Sequence, residues 1–193
     1  MSITATREFT GTWQLDPVHS TVGFEVDYMA GTFKGEFDQL SAQLSADGDR
    51  ARLEGAAQVS SVDVKDENLN AHLQSPDFFD AERYPELRFT AEDVDLSADE
   101  VTARGELTIK GVARPVEVTG TATAPLADPY GNERIGLRLT AAVDRTDFGV
   151  SWNAPAVDRT KPSSSRVSSS LRAVGRASPA AVATSVRDML RWS

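Results

Sequence analysis

The chain has no cysteine and only two histidines among its 193 residues. Without a thiol there is no disulfide, thiolate metal site or cysteine nucleophile, and two imidazoles leave little for a histidine-rich metal centre. No apolar run approaches the ~20 residues that span a bilayer, so stable membrane insertion is not expected. The N-terminus, MSITATREFTG, lacks the charged and apolar regions of a secretory signal, which points to a cytoplasmic protein. Basic residues are outnumbered, 20 against 29 acidic, and a net charge of -9 argues against a nucleic-acid partner.

What charge there is lies unevenly. From Asp158 to Ser193 seven Lys or Arg face two Asp or Glu, and Ser163, Ser164, Ser165, Ser168, Ser169 and Ser170 form a low-complexity run interleaved with arginine. The expected division is therefore a flexible N-terminus over 1–10, a body over 11–153, and a basic Ser/Arg-rich tail over 154–193. Ser178-Pro179 reads as an N-cap and first helical position, and Val182, Val186, Met189 and Leu190 follow at helical spacing, which predicts a tail helix over 179–192.

The body alternates. Val22, Phe24, Val26 and Tyr28 are separated by Thr21, Gly23, Glu25 and Asp27, and the same period of two recurs through Leu40–Leu44, Leu53–Val59, Leu87–Ala91, Val101–Ile109, Val116–Gly120 and Ile135–Val143. Turn residues fall between these runs, at Asp47 to Asp49, Ser97 to Asp99, Lys110 to Pro115 and Asp128 to Asn132. Only Asp66 to Ser75 reads as helical. The expectation is a mainly all-β fold: an antiparallel barrel or sandwich of seven to eight strands with a short helical insert and a tail helix. Several inward positions are small: Ala42, Gly55, Ala57, Ala103, Gly105, Gly120 and Ala141. They leave room for a ligand on one reading and accommodate twist and close sheet packing on the other.

Chemistry is sparse. Asp16, His19 and Ser20 stand within five residues, but strand geometry sends neighbours to opposite faces, so a turn with satisfied polar groups is expected there. Asp147-Phe148-Gly149 lacks every other element of a kinase. Asp77, Asp80 and Glu82 beside His72 read as solvated loop carboxylates. No catalytic residue, metal site or cofactor is therefore assigned. Gly11-Thr12-Trp13 suits a tryptophan capping a barrel floor. The segment LNAHLQSPDFFDAERYPELRF, Leu69 to Phe89, sets Phe78 and Phe79 among acidic residues inside a turn-rich insert, as expected of a cover over one end of the barrel.

Taken together, Leu15-Asp16-Pro17-Val18-His19-Ser20, Val62-Asp63, His72-Leu73-Gln74-Ser75-Pro76-Asp77-Phe78-Phe79-Asp80, Tyr84-Pro85 with Phe89, Gly105-Glu106-Leu107-Thr108-Ile109-Lys110-Gly111-Val112 and Asp144-Arg145-Thr146-Asp147-Phe148-Gly149 resemble the YceI-like family of lipocalin-like proteins over roughly residues 11 to 153. The resemblance implies an eight-stranded barrel whose apolar pore holds a long isoprenoid or other amphiphilic lipid, with binding or carriage and no catalysis. The alternative is a barrel enzyme or stress-response binder acting on a smaller apolar substrate. Pore-lining candidates are Phe24, Val26, Tyr28, Phe33, Phe37, Leu73, Phe78, Phe79, Phe89, Ala103, Leu107, Ile109, Leu139, Phe148 and Trp152. A protein partner, if there is one, is expected to be a second copy of the chain.

Three departures stand out. Tyr28-Met29 replaces a common His-Met, Lys110 replaces a common histidine, and Trp152-Asn153 is not followed by a recognisable final strand, because Ser163 to Ser170 shows neither alternation nor β propensity. A shifted reading frame across Asp158 to Ser170 is one hypothesis for the missing strand, to be decided by the nucleotide sequence.

Overall fold

The computed structural model describes residues 9–28, 31–47, 50–96 and 100–150, with residues 27, 28, 31 and 164–176 described in their backbone alone. The first strands are β1 (Gly11–Leu15), β2 (Thr21–Tyr28), β3 (Gly31–Phe37), β4 (Leu40–Asp47), β5 (Arg50–Gln58) and β6 (Val62–Asp63), of which β2, β4 and β5 grow from the alternating runs. Helix α1 (Glu67–Gln74) follows, then β7 (Glu86–Asp95), β8 (Glu100–Ile109), β9 (Val112–Ala122), β10 (Leu126–Ala127), β11 (Glu133–Asp144) and β12 (Ser164–Arg176). Pairing is antiparallel throughout, and it runs β11–β9–β8–β7–β5–β4–β1–β12 and back to β11. An antiparallel barrel of eight strands results, and closing the circuit removes the edges that an open sheet would expose.

The closing strand corrects the sequence reading. β12 lies inside the stretch assigned to a tail, so the body does not end at 153 and a shifted frame is not needed to supply a last strand. One edge of β12 pairs with β11 from Ser164 opposite Asp144 to Gly175 opposite Glu133. Its other edge pairs with β2 through 165–170 and with β1 through 173–176. Serine is a weak strand former, but strand preference is mostly set by neighbours, and here both edges find partners. A faint period of two is present too: Val167, Leu171 and Ala173 register with Ala141, Leu137 and Ile135. The predicted helix over 179–192 lies outside the described residues. At the other terminus the expected boundary after residue 10 falls at least two residues too late, because Phe9 is buried in the same core cluster as Trp13.

Inside the barrel, Phe9, Trp13, Leu44, Val101, Ala103, Ile135 and Leu137 form a packed floor. The expected floor tryptophan is only 1% exposed, and its Nε1 has no hydrogen-bond partner among the described residues. At the opposite end, α1 and the turns after it cover the strands. Asp66 caps the helix, its Oδ1 accepting from the Leu69 N–H at 3.0 Å, and Leu73 is the helix residue buried beneath. The β8–β9 turn, Lys110-Gly111, has φ of 51° and 71°, as a tight two-residue hairpin requires. A Cβ at Gly111 would strike the Tyr84 ring, so this turn lies flush against the insert.

Candidate functional site

Between floor and insert lies a cavity of about 160 Å³. Its walls are the inward positions of β4, β5, β7, β8, β9 and β11, and its upper boundary is made of aromatic rings. Phe24 from β2 and Phe37 from β3 meet Phe79 of the insert at centroid distances of 6.0 and 5.9 Å, both edge to face, and each other at 5.8 Å. Phe24 rests on bare backbone, since a Cβ at Gly35, its cross-strand partner, would come within 2.6 Å of the ring.

Phe79 is held from below by its own backbone. The Phe79 N–H donates to the Leu73 carbonyl at 3.0 Å, and the Phe78 and Asp80 N–H groups both donate to the Ser75 carbonyl, at 3.0 and 2.9 Å. Asp80 takes a left-handed φ of 53° to complete the turn. Lys110 Nζ donates to the Pro76 carbonyl at 2.6 Å, fastening the same turn to the β8–β9 hairpin. The lysine at the position where a histidine is common thus supports the cover, and Asp77, Asp80 and Glu82 converge on no metal: among the described residues no group of three or more His, Asp or Glu is placed to hold one.

Of the pore candidates, Phe24, Phe37, Phe79, Phe89, Leu107, Ile109 and Leu139 border the cavity. Phe33, Leu73 and Phe78 stand behind the aromatic layer, Phe33 6.1 Å from Phe24 and Phe78 edge-on to His72 at 5.0 Å. Phe148 does not face the space. It is 2% exposed, packed with Ile109 and Val150 at the 3-10 turn that follows β11, and Gly149 ends that turn with φ of 74°. Ala103 is likewise absent from the cavity, being wholly buried in the floor cluster. Val26 sits opposite Phe33 on the β2–β3 hairpin, away from the lining. Tyr28 is described in its backbone alone, and Trp152 lies outside the described residues.

Several lining residues were not among the pore candidates: Leu15, Val22, Leu40, Leu53, Leu87, Val116 and Val118, while Ala42, Gly55, Ala57 and Ala141 were read only as small inward positions that leave room for a ligand or accommodate sheet packing. Most sit in the recognised alternating runs. Alternation identifies the inner face, but only the strand register places a residue at the level of the cavity or of the floor.

Among the described residues, charge is kept out of this space. Glu54 and Arg88 border it at positions of outward parity, and their charged ends pair outside, with Arg52 and with Glu86. The densest ionic cluster is on the outer wall instead. Arg134 Nη1 reaches Asp16 Oδ2 at 2.8 Å and its Nε reaches Asp128 Oδ2 at 3.0 Å. The Asp16 carboxylate also takes the Val18 N–H and His19 Nδ1, at 3.1 and 2.9 Å. So the Asp-His-Ser segment is a satisfied turn, as expected. Asp16 is held below its ordinary range, chiefly by the His19 hydrogen bond and then by Arg134. Asp128 is held down to about 2, chiefly by the Asn132 N–H and then by Arg134. The bridge spans from the β1–β2 turn to the β10–β11 turn, tying together the two walls between which β12 runs.

The profile of the YceI-like domain matches residues 13–172, which take in all but the last four residues of β12. Among curated relatives, a UPF0312 protein of Staphylococcus aureus is 30% identical over 146 residues, covering 72% of this chain and 81% of its own. A UPF0312 protein of Photorhabdus laumondii is 27% identical over 135 residues, 67% of this chain and 70% of its own. Among solved structures, BcnA of Burkholderia cenocepacia superposes with a TM-score of 0.71 at 23% identity, covering 82% of this chain and 98% of that one. The YceI protein of Campylobacter jejuni gives 0.67 at 25% identity, covering 88% and 98%. A polyisoprenoid-binding domain from Saccharophagus degradans, implicated in plant cell wall breakdown, gives 0.64 at 16% identity, covering 85% and 98%.

Proposed function

Because the chain belongs to the YceI-like family, we propose that it binds a long-chain isoprenoid or a similar amphiphilic lipid, holding the hydrocarbon in the barrel and the polar head outside, and that it catalyses nothing. The observation that carries this reading is the wall of the cavity: inward-facing aliphatic and aromatic side chains, with the neighbouring charges paired on the outer surface. Such a wall rewards burial of hydrocarbon, and its described inward side chains offer a polar group no partner. That the Saccharophagus neighbour is a polyisoprenoid-binding domain supports the same class of ligand.

Size refines the proposal. About 160 Å³ compares with a cavity of roughly 150 Å³ that accommodates one benzene ring. Six buried carbons contribute about 5 kcal/mol, near the lower end of the ~4–15 kcal/mol that association costs. Retention of a lipid therefore requires more burial than the cavity alone supplies. In this proposal the chain continues outward past Phe24, Phe37 and Phe79, whose rings part to take it, with Phe33 and Phe78 flanking its path. The volume by itself favours a smaller apolar guest, which is the second reading.

Native mass spectrometry of protein purified without detergent tests both. A co-purifying mass of isoprenoid size supports the first reading, and a small apolar guest supports the second. Bare protein that also fails to take up geranylgeraniol overturns the lipid proposal.

A further inference from the structure

Glycines on the inner wall do not all serve the same end. A Cβ at Gly105 would collide with the Thr90 carbonyl oxygen, and one at Gly120 with the carbonyl of Arg138, so at those positions neighbouring backbones leave no room for a side chain. Gly55 differs. The nearest atoms to a Cβ there are Ala42 Cβ and the Ser41 carbonyl oxygen, both at 3.8 Å, which is ordinary contact, and its φ lies outside the left-handed region. Neither packing nor backbone conformation requires glycine at this point, and glycine loosens a strand interior. What its absent side chain leaves is width. Gly55 lies between Ala42 on β4 and Phe89 on β7, its cross-strand partners, and all three border the cavity.

We propose that Gly55 is a specificity-determining residue that sets the girth of the chain admitted, keeping the barrel wide enough at this level for methyl-branched hydrocarbon. The inference rests on the lipid-binding reading and deepens it. A straight polymethylene chain has a uniform narrow section, whereas an isoprenoid chain carries a methyl branch in each repeat and is wider there. A side chain grown from Gly55 would project into the passage between Ala42 and Phe89 and exclude the branches before it excludes the backbone of the chain. A methylene-sized misfit in an apolar pocket changes binding by roughly 10–200-fold.

The test uses phytanol and hexadecanol, alcohols of equal main-chain length that differ in their methyl branches alone. Affinities are measured by displacement of a fluorescent fatty alcohol from wild type, Gly55→Ala and Gly55→Leu, with melting temperatures alongside. Wild type is expected to take both alcohols. Gly55→Leu is expected to lose about tenfold or more for phytanol and less than about threefold for hexadecanol, without a lower melting temperature. Should the leucine variant fail to fold, Gly55→Ala decides, with phytanol weakened by about threefold and hexadecanol unchanged. Undiminished phytanol binding by a folded variant, equal loss of both alcohols, or a wild type that refuses phytanol but takes hexadecanol overturns the girth assignment and leaves lipid binding standing. A wild type that binds neither alcohol overturns the lipid reading, and the inference falls with it.

Discussion

Around Trp13 the inner face of the barrel is filled by Leu44, Val101, Ala103 and Ile135, each at most 2% exposed. Further along the barrel, at Ala42, Gly55, Ala57 and Ala141, the inner face borders open space. Both levels use small residues, and they use them for opposite purposes. At the floor, alanine makes room for an indole and for branched neighbours, so the void is filled by the protein itself. At the cavity level the described side chains leave open space between the walls. A small inward residue is thus informative only with its level along the barrel, which the pairing register supplies.

The sharpest way to break this contrast is to hollow the floor. Trp13→Ala removes the largest wholly buried side chain there, and we expect a loss of about 3–5 kcal/mol, read from urea unfolding. Stability near wild type would mean that the floor is no better packed than the cavity. Overpacking comes next. Ala103→Trp is expected to cost about 1–3 kcal/mol or more, because the floor has no space to receive a ring, whereas Gly55→Leu is expected to cost little. Equal costs would erase the distinction between the two levels.

Substitutions in the aromatic layer separate retention from stability. Phe79 is half-buried and borders the cavity, so Phe79→Ala is expected to cost about 2 kcal/mol, less than a fully buried phenylalanine, and to speed release of a bound chain alcohol. Phe78 lies behind the layer, so Phe78→Ala is expected to lower stability with a smaller change in release rate. Stopped-flow release of a fluorescent fatty alcohol measures the difference, and identical rates in both variants would remove Phe79 from the chain's path.

The smallest effect concerns acid. The carboxyls of Asp128 and Asp16 titrate lower in the folded chain than their ordinary 3.8, Asp128 at about 2. Groups depressed in this way stabilise the fold above about pH 4, and that contribution disappears as pH falls from about 4 toward 2. Urea midpoints at pH 7 and pH 3 should therefore differ less in Asp128→Asn than in wild type. An unchanged difference would show that the bridge beside β12 contributes nothing to acid stability.

Much of this was legible in the sequence. The inner face of most of the longer strands followed from alternation, α1 from the one stretch of the body that reads as helical, and the covering insert from two aromatics set in a turn-rich segment. Two things were not. β12 hides its period of two among serines and arginines, and its stability comes from β11 on one edge and β1 and β2 on the other, partners that no local window contains. The cavity was readable as a face but not as a level, so Ala103 and Phe148 were assigned to it while Leu53, Leu87 and Val118 were passed over. Arg134 and Asp16 stand 118 positions apart and give no local sign of their bridge.

Photo-crosslinking tests the central contrast most directly. A chain alcohol bearing a diazirine at its far end, bound to wild-type protein and activated by light, labels whatever surrounds that end. The account predicts adducts on cavity residues such as Phe89, Leu107 and Leu139, and none on Val101 or Ala103 in the floor. Adducts confined to exposed apolar residues such as Val18, Leu126 and Tyr130 would contradict it, because the chain would then lie on the barrel rather than within it.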